Sequence, residues 1–163
     1  PLRVIKDNKI VDESWQRIHE SDIEKGIPEG DVIVPFSYWQ ANRAELVERE
    51  GRLGVCINGD DETEEVAKDL TCFDLIAVDF PAFKDGRGYS HARILRDHYE
   101  YEGDLRAVGD VLRDQLFYLQ RCGINSFHIR EDMDYEDAMK GFSDFSVKYQ
   151  TAADGVLPVY KER

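Results

Sequence analysis

Cysteine is scarce: the 163 residues hold three, Cys56, Cys72 and Cys122, and no two form a Cys-x-x-Cys pair. Zinc ribbons, thioredoxin-type sites and cubane clusters draw their ligands from that spacing, so all three lack their usual donors. Long apolar runs are also missing. Nothing approaches the roughly 20 residues of a membrane-spanning helix, and Pro1 to Asp7 lack the apolar stretch of a secretory signal. Positive charge is in deficit: 21 Lys and Arg stand against 34 Asp and Glu, a net charge of −13. Nucleic acids and anionic membranes are recognised through cationic footprints, so the balance argues against both as partners. Dinucleotide, P-loop and nucleophile-elbow motifs are absent too, and no cofactor is evident. Isolated cysteines in apolar context behave as small buried hydrophobes, which fits a reducing, cytoplasmic setting.

What is present is alternation. Arg3 to Val11 reads as a short β-hairpin turning at Asp7-Asn8, residues that tolerate left-handed conformations. A polar stretch follows, up to a turn at 27–31. Val32-Ile33-Val34 is then a strand, and Ser37 is placed to cap a helix running to Glu50, with Trp39, Leu46 and Val47 on one face. Strand Leu53–Ile57 leads to a helix over 62–70, started by Asp61 and Glu64 in a capping-box arrangement. Strand Leu75–Val78 precedes a helix over 89–99 with Ile94, Leu95 and Tyr99 inward. Strand Leu105–Val108 precedes the most periodic helix, Asp110 to Cys122, closed by Gly123. Strand Ser126–Ile129 precedes a last helix capped by Asp134. Such βα units predict an α/β fold with a mostly parallel sheet of about five strands. An open, doubly wound, Rossmann-like sheet is favoured over a partial or dimer-completed barrel, the latter implying a homodimer. The organisation expected is a hairpin and linker over 1–30, an α/β domain over 31–149 and an extension over 150–163.

Ligands of parallel sheets bind beyond the carboxyl ends of the strands. The segment after the third strand of the alternating set carries Lys84, Asp85, Gly86, Arg87, Gly88, Tyr89, Ser90 and Arg93. Its glycines allow close backbone approach, its helix start offers N–H groups, and its cations stand out on an acidic chain. An anion site is one reading. The other is a plain βα loop whose Lys84 and Arg87 pair with Asp79 or Asp85. Asp110 and Arg113 either project into the same crevice or, for Asp110, simply cap a helix. Alternation sets His128 opposite Phe127 and Ile129, where it is either a general base or a structural histidine. His91 and His98 lie two turns apart, too far to share a metal, and no metal site is expected. The acidic run 60–65 reads as a solvated helix start.

Three stretches carry a resemblance: 80–93 (FPAFKDGRGYSHAR), 105–116 (LRAVGDVLRDQL) and 119–123 (LQRCG). On these the chain resembles an uncharacterised bacterial domain family labelled an oxidoreductase of sulfite reduction, whose members are encoded beside an assimilatory sulfite reductase hemoprotein. The resemblance covers about residues 31–153. It implies a role in sulfate assimilation and cysteine supply, with the hemoprotein as partner. The first expectation is a non-catalytic accessory protein that binds a small anion or, as the resemblance implies, the reductase itself. An enzyme acting on a small anionic substrate, with Asp110 or His128 as acid/base, is the alternative.

Overall fold

Asp7 and Asn8 both take positive φ, 51° and 65°, the geometry whose twist lets two strands fold directly back on each other. Strands β1 (Leu2–Lys6) and β2 (Lys9–Glu13) therefore pair as an antiparallel hairpin. The computed structural model describes residues 2–58, 61–80, 87–109, 111, 115–129, 134–140 and 142, with side chains left undescribed at 87 and 88. The hairpin is not an appendage. β1 pairs antiparallel with β8 (Ser126–Phe127) and so joins the main sheet. A further short strand, β3 (Gln16–Arg17), lies in the polar stretch where no strand was expected.

β3 begins a parallel series with β4 (Val32–Pro35), β5 (Leu53–Ile57), β6 (Leu75–Asp79), β7 (Asp104–Val108) and β8. The eight strands lie in the order β2-β1-β8-β7-β6-β5-β4-β3. From β3 to β8 chain order and spatial order coincide, so there is no switch point and the favoured doubly wound sheet is corrected. Crossovers of one hand that always step the same way put their helices on one face and curl the sheet. The curl is nearly a full turn. The two edge strands, β2 and β3, are joined by Ser14 and Trp15 alone, a span of at most about 11 Å. The result is a curled, barrel-like sheet whose edge strands β2 and β3 are joined by one short run of chain.

Period-two alternation then sorts every strand into a convex and a concave side chain set. The convex set, including Val34, Val55, Val78, Leu105 and Phe127, forms the main buried core. Helices α1 (Phe36–Val47), α2 (Thr63–Ala67), α3 (Arg87–Arg93) and α4 (Leu116–Arg121) follow their strands, with α5 over 135–140. Trp39 is fully buried, anchored by its Nε1–H to Asp69 Oδ2 at 3.0 Å.

Helix starts depart from expectation. Ser37 lies inside α1 and Pro35 is the residue before it, without a side-chain cap. The Asp61 carboxylate accepts from the Asn58 backbone N–H at 2.9 Å instead of capping α2. Asp134 does cap α5: its Oδ1 accepts from Glu136 N at 2.9 Å and Asp137 N at 3.3 Å. After α3 the helix widens to a π-turn, Ile94–His98, which shifts the inward face by one residue. Leu95 is buried while Ile94, expected inward, is 39% exposed.

Candidate functional site

The concave face is where chemistry accumulates. Trp15, Ile33, Leu75, Ala77 and Val108 make a small second core there, with Cys56 against it. Interleaved with them are charged side chains that the same alternation turns inward. At the start of β7, Lys6 Nζ meets Asp104 Oδ2 at 2.8 Å and Glu13 Oε2 at 3.8 Å. Hydrogen bonding to Asp104 raises the Lys6 pKa. Burial works against the Asp104 carboxylate, but hydrogen bonds from Lys6 and Asn125 outweigh it and hold its pKa below the ordinary value.

In the middle of β7, Arg106 is fully buried. Its Nε–H donates to Ser126 Oγ at 2.8 Å, and its Nη2 forms a close ion pair with Glu13 Oε1. Toward the carboxyl ends, Arg17 Nη2 donates to Asp79 Oδ2 at 3.0 Å and lies 3.5 Å from Cys56 Sγ. Arg17 is on β3 and Asp79 on β6, so this pair spans strands that are not neighbours, and the curl brings them together. Burial pushes the Cys56 thiol up to about 11, against the pull of Arg17. At neutral pH it is a thiol, unsuited to act as a nucleophile. Asp79 thus pairs with Arg17 from the far edge of the sheet.

Around the rim, Tyr89 on α3 packs at a tilt against Phe80, ring centroids 5.5 Å apart, and edge-on against Tyr118 at 5.0 Å, and Gln115 Nε2–H donates to its hydroxyl at 3.2 Å. The start of α3 and the start of α4 are therefore in contact. Buried His91 shares a 2.7 Å hydrogen bond with Thr63 Oγ1 through Nδ1. Among the described residues no group of three or more His, Cys, Asp or Glu is placed to hold a metal ion. None of the described helices is long and apolar enough to cross a membrane.

A family model described as a bacterial protein of unknown function (DUF934) matches residues 54–160. The chain belongs to that family. The match contains all three stretches that carry the resemblance. No curated protein and no solved structure matches this DUF934 chain at a significant level.

Of the residues read from sequence, Lys84, Asp85, Gly86, Asp110 and Arg113 lie outside those described. Arg87 and Gly88 open α3, and Ser90 is exposed on it. Arg93 is half-buried and close enough to the buried Cys122 thiol to pull its pKa down, though burial prevails and raises it. His128 is half-buried after β8, its backbone N–H bonded to Ala107 O at 2.9 Å. The sequence does not mark Glu13, Trp15 or Arg17 as site residues, and it marks Arg106 only as charge near the helix start at Asp110. A signal existed for Arg106: a charge inside the apolar run Leu105-Arg106-Ala107-Val108 must face whatever the apolar residues on either side do not.

Proposed function

We propose that this DUF934 protein is an accessory protein of assimilatory sulfite reduction, binding a small anion at the carboxyl-end rim of its barrel and docking on the sulfite reductase hemoprotein. The observation that carries the reading is the siting of the 84–93 segment. In chain order it falls after β6, central in the parallel series, and its described part is α3; in such sheets the segments that follow strands receive ligands. Its cations sit on a chain of net charge −13, so they form a local exception in a repulsive field. The pathway comes from the resemblance, whose residues lie within the matched segment. The test has two arms. Sulfite, sulfate or adenosine phosphosulfate should raise the melting temperature, by about 2.7 kcal/mol of stability at 100 times the dissociation constant, and Arg87→Ala should abolish the shift. The hemoprotein should co-elute with the chain in a complex that weakens with salt, as expected for an acidic docking surface. Neither shift nor complex would sink the proposal.

An enzyme acting on a small anionic substrate in the same pathway is the second reading. The placement favouring it is His128, half-buried beyond β8 and alternating with the convex-face Phe127. A turnover that His128→Gln removes while leaving anion binding intact would select it.

A further inference from the structure

Among the described residues, two buried side-chain polar atoms have no hydrogen-bond partner: Arg106 Nη1 and Trp15 Nε1. Arg106 is fully buried and Trp15 is 3% exposed. Buried donors are normally satisfied, and leaving one unpaired costs about 1–3 kcal/mol, more when charged. Two on one face of one sheet need a physical reason.

They share surroundings. Trp15 belongs to the concave cluster of Ile33, Leu75, Ala77 and Val108. Ala77 is the register partner of Arg106 on β6, and Val108 is its neighbour two residues along β7 on the same face. Both orphan atoms are N–H donors, and no orphan acceptor accompanies them among the described residues. The missing group is therefore an acceptor. The charges already present balance: Lys6, Arg17 and Arg106 against Glu13, Asp79 and Asp104, paired with one another. Each of these carboxylates already has a cation beside it, and among the described residues no acceptor reaches Nη1 or Nε1.

We infer that the interior of the barrel holds a second ligand site, in which a small acceptor-only anion, a sulfur oxyanion or a short carboxylate, takes hydrogen bonds from Arg106 Nη1 and Trp15 Nε1. The guanidinium supplies charge, through a donor in a low-dielectric interior where hydrogen bonds to ions are strongest. The indole N–H supplies direction without charge. The site is distinct from the rim segment and does not depend on it.

The experiment is calorimetric titration of the wild-type chain with sulfite, sulfate, formate and acetate, repeated on Trp15→Phe, Arg106→Lys and Arg87→Ala. Trp15→Phe removes the indole N–H while keeping an aromatic ring in the cluster, so it stays informative should Arg106→Lys fail to fold. Binding of at least one anion, weakened about tenfold in Trp15→Phe and unchanged in Arg87→Ala, supports the interior site; the anion bound separates the sulfur oxyanions from the carboxylates. Binding lost in Arg87→Ala and unchanged in Trp15→Phe places it at the rim and overturns the inference while keeping the proposed function. No binding of any of the four overturns it as well. So does a crystal structure grown with them that shows only water between Nη1 and Nε1.

Discussion

On the convex side of the sheet, β4 to β8 offer the helices Val34, Val55, Val78, Leu105 and Phe127, all buried. On the concave side those strands and their neighbours offer Lys6, Glu13, Arg17, Asp79, Asp104 and Arg106, bound into ion pairs, with the Cys56 thiol beside Arg17. One face is held by apolar burial, which is non-directional and tolerates conservative exchange of similar volume. The other is held by charged groups whose desolvation is costly and whose worth depends on every partner being in place. The difference teaches where this fold has room for function. Charges buried at such a desolvation cost are the groups with which a ligand could interact, and the apolar face offers none.

The largest expected effect tests that contrast directly. Arg106→Leu removes one partner of a buried pair and should cost about 3–5 kcal/mol, because Glu13 loses its guanidinium. Adding Glu13→Leu should restore part of the loss. On the convex face, Leu105→Ala should cost about 2–5 kcal/mol, and no second substitution of this kind should recover it. Urea unfolding of the three variants against wild type measures both. If the double variant is no more stable than Arg106→Leu alone, the concave face is held by shape rather than by charge pairing.

A smaller effect concerns how tightly the concave face closes. Gly54 on β5 points into it, and a Cβ there would meet the Leu75 carbonyl oxygen at 2.8 Å and the Ile33 and Leu75 side chains at 3.3 Å. Backbone oxygen cannot swing aside, so Gly54→Val should cost about 1–3 kcal/mol by overpacking. Unfolding midpoints read this as well, and a neutral Gly54→Val would mean that β5 and β6 separate more easily than the ion pairs imply.

The two faces also differ in how far the sequence discloses them. Convex residues announce themselves by period and apolarity, and strand β5 falls at Leu53–Ile57 as its pattern predicts. The Asp7-Asn8 turn, the Gly123 stop at φ 108° and the Asp134 cap follow from local chemistry and are equally legible. Concave partners are not local. Arg17 reads as part of a polar linker until the curl of the sheet carries β3 round to face β6. Glu13 falls in the polar stretch after the expected hairpin, with nothing to mark it until Arg106 is found beside it, 93 positions away. Closure hides in a pair of residues, Ser14 and Trp15, whose role is topological. Ser37 and Asp61 show the reverse failure, being good caps by type in places where the chain enters its helices otherwise. Of the candidate residues, the rim segment is legible by its glycines and cations, though Lys84, Asp85 and Gly86 lie outside the described residues, and the interior is legible only as a charge misplaced in an apolar strand.

The smallest effect follows from the same asymmetry, since the titrating groups resolved on the concave face should make that face pH-sensitive. The folded pKa of Asp104 lies below its ordinary 3.8. A carboxyl depressed on folding stabilises fully above the unfolded value, and that contribution is lost as pH falls through the folded one. Lys6, raised above 10.5, contributes fully below that value and loses its contribution as pH rises through the folded pKa. The pair therefore gives a plateau between about pH 4 and 10 with an acid edge set by Asp104. Asp31, held down by hydrogen bonds from Arg52 on the exposed outside, shares that edge. Asp104→Asn should be less stable than wild type at pH 7, and the gap should narrow as pH falls below about 4, leaving the residual slope to Asp31. Midpoints of urea unfolding from neutral to acid pH measure it. A gap that stays constant into the acid range would show that Asp104 acts by packing and hydrogen bonding alone, and would move the concave face closer to the convex one in kind.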